Sequence, residues 1–337
     1  MLFTIDEKSS VPKYRQIVEA VIKGIEQGTL KRNEQLPSIN EFSEEYYLAR
    51  DTVEKAYNVL KKEGIIQAVR GKGFFIRLDR PGQIRVLLLM NKLSAYKKMV
   101  YYALLNTLGP NAIVDLRLHH HSAQRFKTLL EENLGQYNYY VIMPHFYEDT
   151  EQVNALRLLE QIPAHQLVLL DKDLPNLKTP HSAVYQEFDR DAYTALESGR
   201  DLLAKYRNMV LVFPKDVYYP REIIRGFRNY CVHNHMEYRQ LDTLTGATLA
   251  TNTVYVVLED SDLAELVRQA KQRKLQLGRD VGVLAFNDTP LKEVLADGIT
   301  VISTDHEQMG ITAALLIKEN RQERIKNPFQ LIRRNSL

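Results

Sequence analysis

The chain has 337 residues, 45% of them apolar, and a formal net charge of only +3. That length points to two or three cores rather than one, and the single cysteine, Cys231, excludes an internal disulfide, as suits a reducing cytoplasm. Met1 to Lys8 show no basic segment followed by an apolar one, so no secretion signal is expected, and the apolar runs are strand-length, well short of the ~20 residues that span a bilayer.

Residues 12–27 place Ile17, Val18, Val21, Ile22 and Ile25 on one helical face, with Pro12 suited to the first turn and Gly28 as the stop. Ser38 and Glu41 form a Ser-x-x-Glu capping box that opens a second helix, with Ile39, Phe42 and Tyr46 inward. A third helix runs from Arg50 to Glu63, buries Val53, Tyr57 and Leu60, and stops at Gly64. Ile65-Ile66 and Phe74-Phe75-Ile76 are short strand runs around the turn Arg70-Gly71-Lys72-Gly73. Two short helices followed by a basic hairpin is the layout of a winged helix-turn-helix. Such a helix fits a DNA major groove, and the hairpin tip can reach the neighbouring minor groove. Residues 1–80 hold 14 Lys and Arg against 12 Asp and Glu, a net of +2. Any attraction for DNA must therefore come from placement rather than total charge.

Arg77 to Gln83 reads as a linker, punctuated by Pro81-Gly82. The expected division is a DNA-binding domain over 1–78, a linker over 79–84, and a two-lobed domain over 85–337. Beyond the linker, apolar strand runs (Arg85–Met90, Ile113–Leu118, Tyr139–Met143, Gln166–Leu170, Met209–Phe213, Thr253–Leu258, Val281–Phe286) alternate with amphipathic helical segments, among them Tyr96–Leu108 and Asp189–Lys205. That rhythm predicts parallel sheets covered on both faces, and about 250 residues of it make two lobes.

Residues 12–76 resemble the GntR family of DNA-binding domains. The resemblance rests on Pro-x-Tyr-x-Gln-Ile from Pro12, Gly28-Thr-Leu30, Leu-Pro-Ser at 36–38, Arg50-x-Thr-Val, Ala56, Gly64 and Arg-Gly-x-Gly at 70–73. Residues 85–337 look like the effector domain of LacI/GalR-type regulators, a fold shared with periplasmic sugar-binding proteins. The matching stretch is Leu277-Gly278-Arg-Asp280 through Asn287-Asp288, then Gly298 to Ser303, Met309-Gly310 and the end at Leu331 to Ser336. The combination is similar to Bacteroides-type sugar-utilisation regulators, the fucose-operon regulators among them. The fold class implied is α/β, with a winged helix-turn-helix ahead of a two-lobed periplasmic-binding-like domain with parallel sheets.

The resemblance implies a cytoplasmic homodimer that reads a palindromic operator in double-stranded DNA. Arg50 opens the recognition helix, where a guanidinium can pair with guanine O6 and N7. Thr52 and the free amides beside it suit a phosphate; Ser38, Asn40, Asp51 and Lys55 share that surface. In the hairpin, Gly71 and Gly73 admit close backbone approach, flanked by Arg70 and Lys72. The plainer reading is a solvated helix with a surface Arg, and a turn that needs Gly for positive φ. Two departures stand out: Asn40 and Glu54 occupy places where many family members carry Arg, so the operator should differ from theirs.

The same resemblance puts a small effector between the lobes, a monosaccharide or sugar phosphate with L-fucose or a derivative as the specific candidate. Strand-end loops supply the candidates: Asn91, Ser94, Tyr96, His145, Phe146, Asp171, Arg221, Glu259, Asp260, Asn287 and Asp288. Asn287 falls where relatives carry a sugar-contacting Asp, and Ile223 stands where they carry an Arg. Asn-Asp pairs are also ordinary turn residues. His119-His120-His121 suggest a metal, but neighbours on a strand face opposite ways, so no metal is expected. No cofactor is implied and no catalytic motif appears, so the chain reads as a regulator rather than an enzyme. Two alternatives remain: a reader fused to a pyridoxal enzyme, for which 85–337 is short, and a sugar-binding module without specific DNA recognition.

Overall fold

A computed structural model of the chain describes residues 5–6, 9, 11–69, 71–77, 83–147 and 152–337. The chain forms two compact units, residues 1–85 with 111–113, and residues 86–110 with 114–337.

In the first unit, α1 (Lys13–Glu26), β1 (Gln35–Leu36), α2 (Ile39–Glu45), α3 (Arg50–Lys62), β2 (Ile66–Val69) and β3 (Gly73–Ile76) surround one core. Ile17, Val21, Phe42, Val53, Leu60 and Ile76 are fully buried there. Tyr57 binds it together: its ring sets its edge against Phe42 and Phe74, and its hydroxyl donates to the Pro37 carbonyl at 2.8 Å. The strands pair antiparallel in the order β1-β3-β2. The two-residue β1 has no apolar run to announce it; it exists because β3 offers it a free edge.

The capping box at α2 is formed in both directions, Glu41 N–H to Ser38 Oγ and Ser38 N–H to the Glu41 carboxylate. The far end of α2 closes by donation from Leu48 N–H to the Ser43 carbonyl at 3.0 Å. That closure places Tyr47 in the left-handed region, φ 52°, where glycine is the usual occupant. A side chain there costs about 1–2 kcal/mol.

The remaining elements in chain order are β4 (Ile84–Met90), α4 (Ala95–Leu108), β5 (Ala112–Leu118), α5 (Ala123–Asn133), β6 (Tyr139–Ile142), α6 (Gln152–Arg157), β7 (Leu167–Asp171) and β8 (Ser182–Tyr185). They are followed by α7 (Phe188–Ser198), α8 (Arg200–Leu203), β9 (Asn208–Val212), α9 (Glu222–His233), β10 (Glu237–Leu241), β11 (Thr253–Val257), α10 (Asp260–Gln272), β12 (Val281–Phe286), α11 (Pro290–Val294) and β13 (Thr300–Thr304). Last come α12 (His306–Lys318), β14 (Arg324–Lys326) and β15 (Phe329–Ile332).

Two six-stranded sheets result, β14-β8-β7-β6-β4-β5 in lobe one and β10-β9-β11-β12-β13-β15 in lobe two. Pairing is parallel from β14 through β4 and from β10 through β13, and β15 is added antiparallel to β13. In each sheet the chain reverses its direction of travel once, between β4 and β6 and between β9 and β11. At such a switch point the loops leaving the strands part and open a crevice. The chain passes between lobes after β8, after β13 and after β14.

Each lobe has one helix crossing that a glycine makes possible. A Cβ at Gly310 of α12 would lie 2.5 Å from the Val100 carbonyl of α4, and one at Gly226 of α9 would lie 2.4 Å from the Asp189 carbonyl of α7.

Two expectations are corrected, and one strand was not anticipated. The helix over 189–205 is broken into α7 and α8 at Gly199, whose φ of -105° and ψ of 15° leave the helical range. β4 begins at Ile84, inside the expected linker, while residues 78–82 lie outside the described residues. β10 is a strand despite its polar pattern: it is an edge, paired on one side only.

Candidate functional site

The first candidate surface is the N-terminal end of α3. Its N-cap, Ala49, offers no side-chain oxygen; Thr52 N–H donates to the Ala49 carbonyl at 2.9 Å, and no side chain caps the Arg50 and Asp51 amides ahead of it. Arg50 and Asp51 are exposed there and Thr52 is half-buried; Ser38 and Asn40 are exposed at the start of α2. Lys55 lies with its ammonium 4.2 Å from the centre of the Tyr14 ring of α1. Glu54 is exposed on α3. In the hairpin, Gly71 and Gly73 both have positive φ (74° and 102°), and the Gln35 amide donates to the Lys72 carbonyl at 2.7 Å. Gly73 has Gln35 against it, and Lys72 is exposed. Arg70 lies outside the described residues.

The second candidate is a cleft between the two switch points, of about 50 Å³, room for a few waters as the side chains stand. Lobe one contributes Asn91 after β4, Lys92, Tyr96 and Lys97 around the start of α4, His145 after β6, Asp171 at the end of β7, and His306 opening α12. Lobe two contributes Phe188, Tyr218 to Pro220 after β9, Ile223, Phe286 and Asn287 ending β12, and Thr304.

The lobe-one side is a connected polar network. The Lys97 ammonium donates to Asn91 Oδ1 at 2.5 Å and lies 3.8 Å from the Asp171 carboxylate. His145 Nε2 donates to the same carboxylate at 2.9 Å. The Asn91 amide stands 3.3 Å from the His121 ring, and His119 Nε2 donates to the Met143 carbonyl at 3.0 Å. Asp171 and Asn287 both adopt left-handed backbone, φ 70° and 60°, which short polar side chains tolerate.

Burial sets the charge states. Burial alone would raise the Asp171 carboxyl, but the hydrogen bond from His145 and the Lys97 charge hold it well below the usual carboxylate range. Burial lowers Lys97 to about 8 against the pull of Asp171. It likewise lowers His119 and His121 to about 3 and His306 to about 4, and pushes His145 down. Near neutral pH the network around Asp171 thus holds one carboxylate, a largely protonated Lys97 and neutral imidazoles.

Of the expected effector residues, Asn91, Tyr96, His145, Asp171 and Asn287 meet in the cleft. The others do not line it, each for a visible reason. Ser94 caps α4 by accepting from Lys97 N–H. Phe146 packs into the lobe-one core against His119 and Phe126. Arg221 is exposed ahead of α9, and Ile223 takes the cleft position instead. Glu259 accepts from the Tyr219 hydroxyl at 2.6 Å. Asp260 pairs with Lys292, whose ammonium also donates to the carbonyls of Phe286 and Asn287 and so fixes the turn that carries Asn287. Asp288 is gripped bidentately by Arg334 at 2.8 and 2.9 Å.

Sequence reasoning missed Lys92, Lys97, Tyr218, Tyr219 and His306. Lys97 reads as a surface residue of a helix, and only the tertiary fold buries it. His119 and His121 are buried polar residues of this wall. Among the described residues no group of three or more His, Cys, Asp or Glu is placed to hold a metal, and no helix is long and apolar enough to cross a membrane.

Comparison with known proteins agrees with this fold. Residues 13–76 match the family model of bacterial regulatory proteins of the gntR family, and residues 202–337 match a periplasmic binding protein-like domain. The HTH-type transcriptional repressor YtrA of Bacillus subtilis is 37% identical over 75 residues, 22% of this chain and 58% of that protein. The arabinose metabolism transcriptional repressor of Geobacillus stearothermophilus is 31% identical over 75 residues, 22% of this chain and 21% of that protein. These alignments therefore span about three fifths of YtrA and one fifth of the arabinose repressor. Among solved structures, a LacI family transcriptional regulator from Silicibacter pomeroyi superposes with TM-score 0.61 at 21% identity, covering 75% of this chain and 98% of that one. The lac repressor dimer bound to operator and the anti-inducer ONPF gives 0.58 at 16%, covering 75% and 94%. The chain thus joins a GntR-type helix-turn-helix domain to a two-lobed periplasmic-binding-like domain with the fold of the LacI-type regulators.

Proposed function

We propose that this chain is a sequence-specific transcription regulator whose affinity for a DNA operator is set by a small polyhydroxylated effector held between the lobes. The observation that carries it is the cleft: hydrogen-bonding groups fixed on one wall face aromatic rings on the other, the pairing that a sugar's hydroxyls and apolar ring face require. His145 supports the same reading. One ring nitrogen is committed to Asp171, and the other, Nδ1, is buried with no hydrogen-bond partner among the described residues, an acceptor for a ligand hydroxyl.

In this reading residues 1–78 bind DNA, the segment from 79 to the start of β4 links, and the two-lobed domain that follows senses and dimerises in the cytoplasm. Arg50, Thr52 and the hairpin from Arg70 to Gly73 contact a palindromic operator. Asn91, Tyr96, His145, Asp171 and Asn287 hold the effector, a monosaccharide or sugar phosphate, with L-fucose the first candidate. The named relatives are repressors, and repression is the direction expected here. A coupling of ~1–3 kcal/mol between effector and operator changes DNA affinity about 5–150-fold.

A thermal-shift screen against monosaccharides, L-fucose included, and their phosphates tests the sensor. One compound should raise Tm, and Asn287→Ala should abolish the rise. No shift with any sugar would end the sugar assignment.

A further inference from the structure

Tyr47 sits in the turn between α2 and α3, and its side chain is 89% exposed, the highest value for a large apolar residue among the described residues. It also holds the left-handed backbone that ends α2. A strained conformation is normally left to glycine, or redeemed by packing. Here packing redeems nothing. The neighbouring Tyr46 packs its ring 4.5 Å from Phe42, whereas Tyr47 stands in solvent. The residues around it, Glu44, Glu45, Ala49 and Arg50, are exposed and mostly polar, so Tyr47 is not part of an apolar patch of the kind that docks a protein. Its place in the chain is two residues ahead of Ala49, the N-cap of α3, and three ahead of Arg50.

We propose, resting on the DNA-binding reading above, that Tyr47 is a DNA-backbone contact. Its phenolic O–H donates to a phosphate oxygen, and its ring covers the adjoining deoxyribose, beside the base pairs that α3 reads. Tyrosine hydroxyls are regular phosphate donors and fix register rather than sequence. A neutral donor suits this position, since the last turn of α2 carries Glu44 and Glu45.

The test uses the full chain and a labelled duplex enriched from a random library by the wild-type protein, titrated by fluorescence anisotropy at several salt concentrations. Tyr47→Gly should leave Tm no lower than wild type, because it relieves the left-handed strain. It should nevertheless weaken DNA binding roughly 3–10-fold, the worth of one neutral hydrogen bond. Tyr47→Phe should lose a similar factor. Both losses should be equal on the enriched duplex and on a random one, with the salt dependence unchanged. Arg50→Ala should instead weaken the enriched duplex preferentially. If both Tyr47 variants bind as tightly as wild type while Arg50→Ala does not, the Tyr47 proposal falls and the DNA reading stands. If the wild-type chain enriches no sequence and binds no duplex, the DNA reading falls and takes the proposal with it.

Discussion

The two walls of the cleft are built on the same strand order and carry opposite chemistry. Lobe one presents Lys97, Asn91, Asp171 and His145 in a buried hydrogen-bonded chain. Lobe two presents Tyr218, Tyr219, Ile223 and Phe286, with Asn287 as its polar contribution from a strand end. The fold decides only where a strand ends and a crevice opens. What that crevice can recognise is decided by a handful of residues just past each strand: both lobes place an asparagine there, Asn91 and Asn287, but the charged groups come from lobe one and most of the rings from lobe two. The centre of the lobe-one wall is pre-organised, because Lys97, Asn91, Asp171 and His145 hold one another. In lobe two the Tyr219 hydroxyl is tied to Glu259 and Lys292 fixes the Asn287 turn, while Tyr218 lies 4.7 Å from His121 and 5.6 Å from His145 across the cleft.

This contrast can be broken or sharpened by experiment. Asp171→Leu should have the largest effect. It strands the buried Lys97 ammonium and the His145 N–H, a loss of about 3–5 kcal/mol visible as a lower Tm. The double variant Lys97→Met with Asp171→Leu should recover most of that stability. A neutral single variant would mean that lobe one has no network at all. Next, Gly226→Ala and Gly310→Ala should each cost roughly 1–3 kcal/mol by overpacking a helix crossing. Similar losses would show that the lobes share their scaffold though not their chemistry; a loss at only one of them would refute that.

Acid should act through lobe one. His119, His121, His145 and His306 are all held below the ordinary value of 6.5. The unfolded chain therefore takes up protons first, and the stability present above pH 6.5 is lost progressively as the pH falls towards 4 and 3. Each histidine accounts for at most ~1.4 kcal/mol per pH unit. Tm should fall between pH 7 and 5.5, and His306→Gln should make the fall shallower; a Tm flat to pH 5 would contradict the burial of these rings. The smallest effect is expected from Tyr218→Ala, about 0.5–1.5 kcal/mol for the lost ring contacts, read by urea unfolding.

Much of this was legible in the sequence, for reasons that differ by element. The winged helix showed itself through local signals, the capping box at Ser38 and the glycines at 64, 71 and 73, and these need no tertiary context. The buried strands β4, β7, β9, β11 and β12 appeared as apolar runs. β10 did not, because an edge strand alternates like a loop, and β8, β13, β14 and β15 are too short or too polar to stand out. At the cleft, residues directly after a strand were found by position alone. Lys97 and His306 escaped because they sit within helices, where nothing local tells a buried cation or imidazole from a solvated one. Asp260 and Asp288 were over-read for the converse reason: their partners, Lys292 and Arg334, come from elsewhere in the chain.

The passages of the chain between lobes have a consequence for the order of events during synthesis. Nearly all of lobe two, from α7 to β13, is one continuous stretch, whereas α4 of lobe one must wait for α12. The Lys318 side chain reaches the Thr107 carbonyl across 211 positions of sequence. Contacts so distant form late. Lobe two can therefore assemble as an insert while the chain is still emerging from the ribosome. Lobe one stays open on its α4 face until α12 arrives.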